Sequence, residues 1–140
     1  DPISGTFAAA GPMSLNRTQQ LATLLADGRV LITGGYTTAN GVTPILDNAE
    51  LFDPSTSRFS QITGMLGTRF FHFSQLLPNG KVLVGGGLGS AQGTAELFDP
   101  TTNRFVRTGN LLSPQPHAAA VLLPSGEVPR YRPRGRSASR

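Results

Sequence analysis

The chain offers few residues that could do chemistry, and most of those recur at fixed spacing. Arg17 and Arg69 stand 52 residues apart, and Glu50 and Glu96 stand 46 apart. Two recurring opposite charges read first as a structural ion pair, or as arginines that cap loop carbonyls, because a guanidinium carries five donors. The only histidines, His72 and His117, fall at different offsets from the glycines that follow them. No cluster of histidine with Asp or Glu at ligand spacing exists, so the pattern predicts no metal site, and repeat packing accounts for both histidines. There is no cysteine, which excludes disulfides, thiolate metal sites and cysteine nucleophiles. Gly85-Gly86-Gly87-Leu88-Gly89-Ser90 misses the dinucleotide-binding register and precedes no helical pattern. No Gly-x-Ser-x-Gly elbow accompanies the many serines and threonines. Asn16-Arg17-Thr18 is a formal glycosylation triplet of a kind common by chance. The expectation is that this segment holds no catalytic residues, cofactor or metal.

The elements that position these residues form a repeat. Asp1-Pro2 with Phe7, Asp53-Pro54 with Phe59, and Asp99-Pro100 with Phe105 are three copies of one phrase, spaced 52 and then 46 residues apart. Ala-Glu-Leu-Phe precedes the second and third copies. Met13, Met65 and Leu111 follow at a constant offset, then Arg17, Arg69 and Gln115, then Gly28, Gly80 and Gly126. Val30-Leu31-Ile32-Thr33-Gly34-Gly35 and Val82-Leu83-Val84-Gly85-Gly86-Gly87 close the register. A period of roughly 40–50 residues with strand-like content predicts a β-propeller, one four-stranded blade per repeat.

Within each repeat the first strand is Leu21–Leu25, Phe73–Leu77 or Ala119–Leu123. Asp27-Gly28 and Asn79-Gly80 read as type I′ turns of two-residue hairpins. The Val-Leu-Ile/Val run is apolar on both faces and reads as a buried second strand. The glycine pairs Gly34-Gly35 and Gly86-Gly87 admit unusual backbone angles and close approach of a neighbouring strand. Asp53 and Asp99 cap the turns after the third strand, where proline presets φ. The fourth strand starts at Phe59 or Phe105.

These residues resemble the Kelch family in its bacterial and galactose-oxidase-like form. The resemblance rests on the Arg-x-x-His of Arg69 to His72, on Leu76 to Val84, on the double glycines and on Ala-Glu-Leu-Phe-Asp-Pro. It covers residues 1 to about 128. Phe replaces the family's usual Trp in the fourth strand, and Arg-x-x-His is complete once. It implies antiparallel four-stranded blades with the first strand innermost. It also implies that oxidase-like copper chemistry needs a Tyr–Cys cross-link and paired histidines, which this segment cannot supply.

The expected organisation is an all-β, Kelch-type propeller fragment over residues 1–128. It has complete blades at about 13–60 and 61–106 and partial blades at 1–12 and 107–128. Two complete blades do not close a ring. The chain is therefore expected to be a piece of a larger propeller, or to self-assemble. Residues 129–140 break the pattern. Pro129 falls where a ladder N–H is required, and five of the twelve basic residues follow it. Either this is an artefactual end or it is a disordered Arg-rich arm for RNA and other polyanions. Residues 1–129 hold seven basic and eight acidic residues, a formal charge of −1, so no nucleic acid is expected for the repeats. No apolar run nears the ~18 residues that would span a membrane. Low charge and abundant Gly, Ser and Thr fit an extracellular or periplasmic setting.

Alternating strand direction puts the loops between second and third strands on one rim, with the fourth-to-first junctions. Fourteen residues separate Gly35 from Glu50, and eight separate Gly87 from Glu96, which accounts for the whole difference in repeat length. Variable loops on a rigid scaffold are where recognition concentrates. Tyr36, Asn40, Asp47 and Asn48, with Arg17 and Arg69, are the candidate contacts for a protein or carbohydrate partner. The alternatives are a fragment of a galactose-oxidase-like enzyme whose catalytic residues lie elsewhere, and polyanion binding through the tail.

Overall fold

A computed structural model describes residues 5, 9–38, 42–111 and 123. Asn40, Gln115, His117, the Asp1-Pro2 phrase and the 129–140 tail lie outside them. Among the described residues there is no helix, and the chain forms eight strands. They are β1 (Leu21–Leu24), β2 (Val30–Thr33), β3 (Ala49–Asp53), β4 (Arg58–Ile62), β5 (Phe73–Leu76), β6 (Val82–Gly85), β7 (Thr94–Asp99) and β8 (Arg104–Asn110). They pair into two antiparallel sheets in the orders β1-β2-β3-β4 and β5-β6-β7-β8. Each sheet is a meander in which sequence neighbours are spatial neighbours. This suits short, β-branched and aromatic-rich runs separated by turn residues.

The registers are repeat-equivalent. Leu31 pairs with Leu51 and Leu83 with Leu97, while Phe52 pairs with Phe59 and Phe98 with Phe105. The two phenylalanine pairs have centroid separations of 4.9 and 5.0 Å. β8 outruns β4 and carries a register shift opposite Thr94 to Glu96, a bulge that lengthens the last strand.

The first hairpin turn differs from the expected two-residue form. The Leu25 amide donates to the Arg29 carbonyl (2.8 Å), and the Gly28 amide donates to the Leu25 carbonyl (3.1 Å). Gly28 and Gly80 have positive φ, whereas Asp27 and Asn79 do not. This is a three-residue loop with glycine in the left-handed position. The Asp27 and Asn79 side chains instead accept from the amides of Arg29 and Lys81 (3.0 and 3.1 Å). Asp53 and Asp99 each accept from the amide and hydroxyl two residues on, as capping turn residues.

The core lies between the sheets. One face of the first sheet contributes Leu31, Ala49 and Leu51; the facing side of the second contributes Val82, Val84, Phe98 and Phe105. β1 lies against β5, where the hydroxyls of Thr23 and Ser74 pair at 2.6 Å.

Candidate functional site

Each sheet is tied to its loops by one buried arginine. The Arg69 side chain is fully buried. Its Nε and Nη2 donate to Glu96 Oε1 (3.2 and 2.8 Å). Its Nη1 donates to the carbonyls of Gly86, Ala91 and Thr94 (3.0, 2.7 and 3.0 Å). Its Nη2 also reaches the Thr94 hydroxyl at 2.6 Å. The second carboxylate oxygen of Glu96 accepts from the Leu66 amide at 2.6 Å. Arg69 and Glu96 thus bind the β6–β7 loop to the segment that leads into β5. Only a planar five-donor group satisfies so many carbonyls at once, which lysine cannot do.

Arg17 repeats the arrangement one sheet earlier. Its Nη2 pairs with Glu50 Oε1 and Asn48 Oδ1, and its Nη1 donates to the Asn48 carbonyl at 3.2 Å. Glu50 accepts from the amide and hydroxyl of Ser14 (3.0 and 2.9 Å). The Nε of Arg17 is buried without a partner, so this clamp is the less complete one.

The glycine pairs let backbone pass against backbone at these clamps. Gly34, Gly35, Gly86 and Gly87 all have positive φ. A Cβ on Gly35 would sit 2.5 Å from the Thr18 carbonyl oxygen, and one on Gly87 would sit 2.5 Å from that of Phe70. The Gly35 amide donates to the Arg69 carbonyl (2.8 Å), and the Arg69 amide donates to the Leu46 carbonyl (3.1 Å). The first sheet's loop is therefore stitched to the segment that begins the second sheet. His72 adds a side-chain link: its Nε2 lies 2.9 Å from the Thr33 hydroxyl of β2. The ring is buried and its Nδ1 has no partner. Burial first, and the nearby Arg69 charge second, push its pKa down to about 4.

The rim above these clamps holds the predicted contact residues in different states. The guanidinium ends of Arg17 and Arg69 lie inside and are bound to Glu50 and Glu96, and the Asn48 side chain is bound by Arg17. Asp47 is exposed and Tyr36 half-buried. Tyr36 meets Phe70 edge to face at 5.6 Å, and Phe70 meets Phe71 at 4.8 Å. Both phenylalanines are half-buried, and Val42 on the long loop is 63% exposed. Sequence reasoning missed Phe70, Phe71 and Val42. The available signal was the comparison of repeats, since Phe70-Phe71 stands where the preceding copy has Thr18-Gln19.

The opposite rim carries an open cleft of about 310 Å³ between the β1–β2 and β5–β6 turns, lined by Asp27, Lys81, Asp99 and Thr101 among others. Its charges are mutually paired: Arg29 with Asp27 at 2.7 Å and Lys81 with Asp99 at 3.0 Å. Hydrogen bonds from Arg29 hold the Asp27 carboxyl below its usual range, and those from Thr101 and Lys81 do the same for Asp99. Among the described residues no three His, Cys, Asp or Glu side chains converge as a metal site. No described helix is long and apolar enough to cross a membrane.

Compared with known proteins, the chain matches no protein-family model, and no curated protein is similar enough to it to count as a relative.

Proposed function

We propose that this chain is part of a Kelch-type β-propeller that serves as a non-catalytic binding module, its variable-loop rim recognising a protein or carbohydrate partner. The observation that carries this reading is the aromatic group Tyr36, Phe70 and Phe71, half-exposed on the rim that the long loop forms. Aromatic faces pack equally well on the apolar side of a sugar ring and on apolar side chains, while an exposed carboxylate such as Asp47, on the same loop as Tyr36, accepts hydroxyl or amide donors. The buried clamps keep the backbone beneath the rim fixed, so a ligand meets a preformed surface.

The remaining contact candidates divide by accessibility. Arg17, Arg69 and Asn48 act as framework, and Tyr36 and Asp47 are the residues a ligand can reach. The tail-mediated reading concerns residues outside the described ones, and the galactose-oxidase-like reading places its catalytic residues outside this segment. The test is binding of the chain to an immobilised oligosaccharide panel and to a displayed peptide library. Tyr36→Ala and Asp47→Asn are each expected to abolish or weaken by at least tenfold whatever binding is found, with the circular dichroism melt unchanged. Binding that survives both substitutions, or that disappears on removal of residues 130–140 alone, would refute the rim as the recognition surface.

A further inference from the structure

Each sheet has two unlike faces. One, the Phe face, carries the phenylalanine pair; the other, the Leu face, carries the paired leucines. Inside the chain, the Phe face of the second sheet (Leu76, Val82, Phe98, Phe105) packs on the Leu face of the first (Leu31, Ala49, Leu51). The chain therefore already contains one example of Phe face mated to Leu face.

Among the described residues, one more face of each kind has no mate. On the first sheet, Leu24, Val30, Phe52 and Phe59 are the equivalents of Leu76, Val82, Phe98 and Phe105. Val82 and Phe98 are fully buried, whereas Val30, Phe52 and Phe59 are half-exposed around a buried Ile32, and Leu24 is 64% exposed. On the second sheet, Leu83 and Leu97 are the equivalents of the buried Leu31 and Leu51, yet both are only half-buried, and Val106 beside them is 56% exposed. Polar anchors recur as well. Within the chain, Arg29 Nη2 reaches across to the Pro100 carbonyl at 3.1 Å. By repeat position the equivalent residues are Pro54 and Lys81, whose amine pairs with Asp99 at 3.0 Å in this chain.

We infer that the unmated Phe face of the first sheet takes the unmated Leu face of a second copy of this chain, in head-to-tail order. The occupant is a second copy because the two open surfaces are the repeat-equivalents of the pair that already mates inside the chain. Such a contact is heterologous. It closes into a ring if the rotation per copy permits and otherwise extends. With the two described sheets per copy, rings of two, three or four copies fall within the usual four to eight sheets of closed radial assemblies.

Sedimentation velocity of the full 140-residue chain tests this, with Leu24→Lys and Val106→Lys each blocking one face at an exposed site. The wild-type chain is expected to sediment at two, three or four times the chain mass, or as a larger open series where the ring does not close, at about 50 μM, and each variant alone at the monomer mass. An equal mixture of the two variants, at about 100 μM each, is expected to form a dimer and nothing larger. In that mixture one intact Phe face meets one intact Leu face, and both ends are blocked. Circular dichroism melts check that the variants fold, with Leu24→Gln and Val106→Thr as milder replacements if they do not. A wild-type chain that stays monomeric would overturn the inference, whether its own remaining residues or nothing covers the faces. So would single variants that associate as the wild type does, or a mixture that fails to pair.

Discussion

Arg69 and His72 lie three residues apart and respond to different perturbations. Arg69 is buried with five carbonyl, carboxylate or hydroxyl oxygens around it. Replacing it by Met leaves Glu96 as an uncompensated buried charge and frees three loop carbonyls. The expected cost is about 3–5 kcal/mol, read as a lower urea midpoint with an unchanged slope. A loss below about 1 kcal/mol would mean that the clamp is not structural. His72 instead makes stability depend on pH. Its folded-state pKa is about 4 against an ordinary 6.5, so between these values the unfolded chain binds the extra proton. The His72 contribution is therefore full above about pH 6.5, falls as pH drops through that window, and levels off below about 4. The total loss is roughly 3 kcal/mol. His72→Gln, which places at position 72 the residue that Gln20 supplies in the preceding repeat, should flatten this part of the curve. The aspartates with lowered pKa titrate below their usual 3.8 and leave that window clear. A wild-type curve that is already flat from pH 7 to 4 would contradict the buried, neutral imidazole.

Among the elements, the turns separate two meanings of a glycine. Gly28 has φ +86° but nothing within 4 Å of a would-be Cβ; Gly35 has the same φ with the Thr18 carbonyl 2.5 Å away. Gly28→Ala is thus expected to cost about 1 kcal/mol from backbone strain alone. Gly35→Ala should cost several times as much, because a neighbouring backbone must also shift. Thermal melts of the two variants measure the difference, and equal losses would remove the close approach from the account. Strand positions were legible in the sequence because the same phrases recur in one order, and the recurrence of Arg17 with Glu50 and of Arg69 with Glu96 marked the ion pairs. The turn type was not legible. Asp-Gly fits a two-residue hairpin equally well, and only the Leu25–Arg29 hydrogen bond shows where the ladder stops. The link from His72 to Thr33 was hidden for another reason: its partner lies 39 residues away, in the neighbouring sheet. The rim was half legible. Loop-length variation located it, but Tyr36, Phe70 and Phe71 become one surface only when the segment before β5 is laid across the loop after β2.

For the molecule as a whole, the decisive question is whether the two sheets form one cooperative unit. Their cores are not separate. Leu31 and Leu51 of the first sheet and Val82, Val84 and Phe98 of the second belong to one buried cluster. Backbone bonds from Gly35 to Arg69 and from Met65 to Asp47 (both 2.8 Å) cross the junction. A four-stranded meander alone buries neither face, so within the described residues each sheet depends on the other for a dry face. Removing contacts at that junction should then weaken both halves together. Leu51→Ala deletes a side chain that is 3% exposed, and the expected loss is about 2–5 kcal/mol. Hydrogen exchange followed by mass spectrometry gives the sharper readout, because it reports β2 and β6 separately. Amides of Val30–Thr33 and Val82–Gly85 should lose protection by the same factor in this variant, although only one of the two strands belongs to the mutated sheet. If protection falls in β2 and persists in β6, the sheets are independent units. The buried clamps would then stabilise each repeat by itself, and the shared core would be a contact between domains.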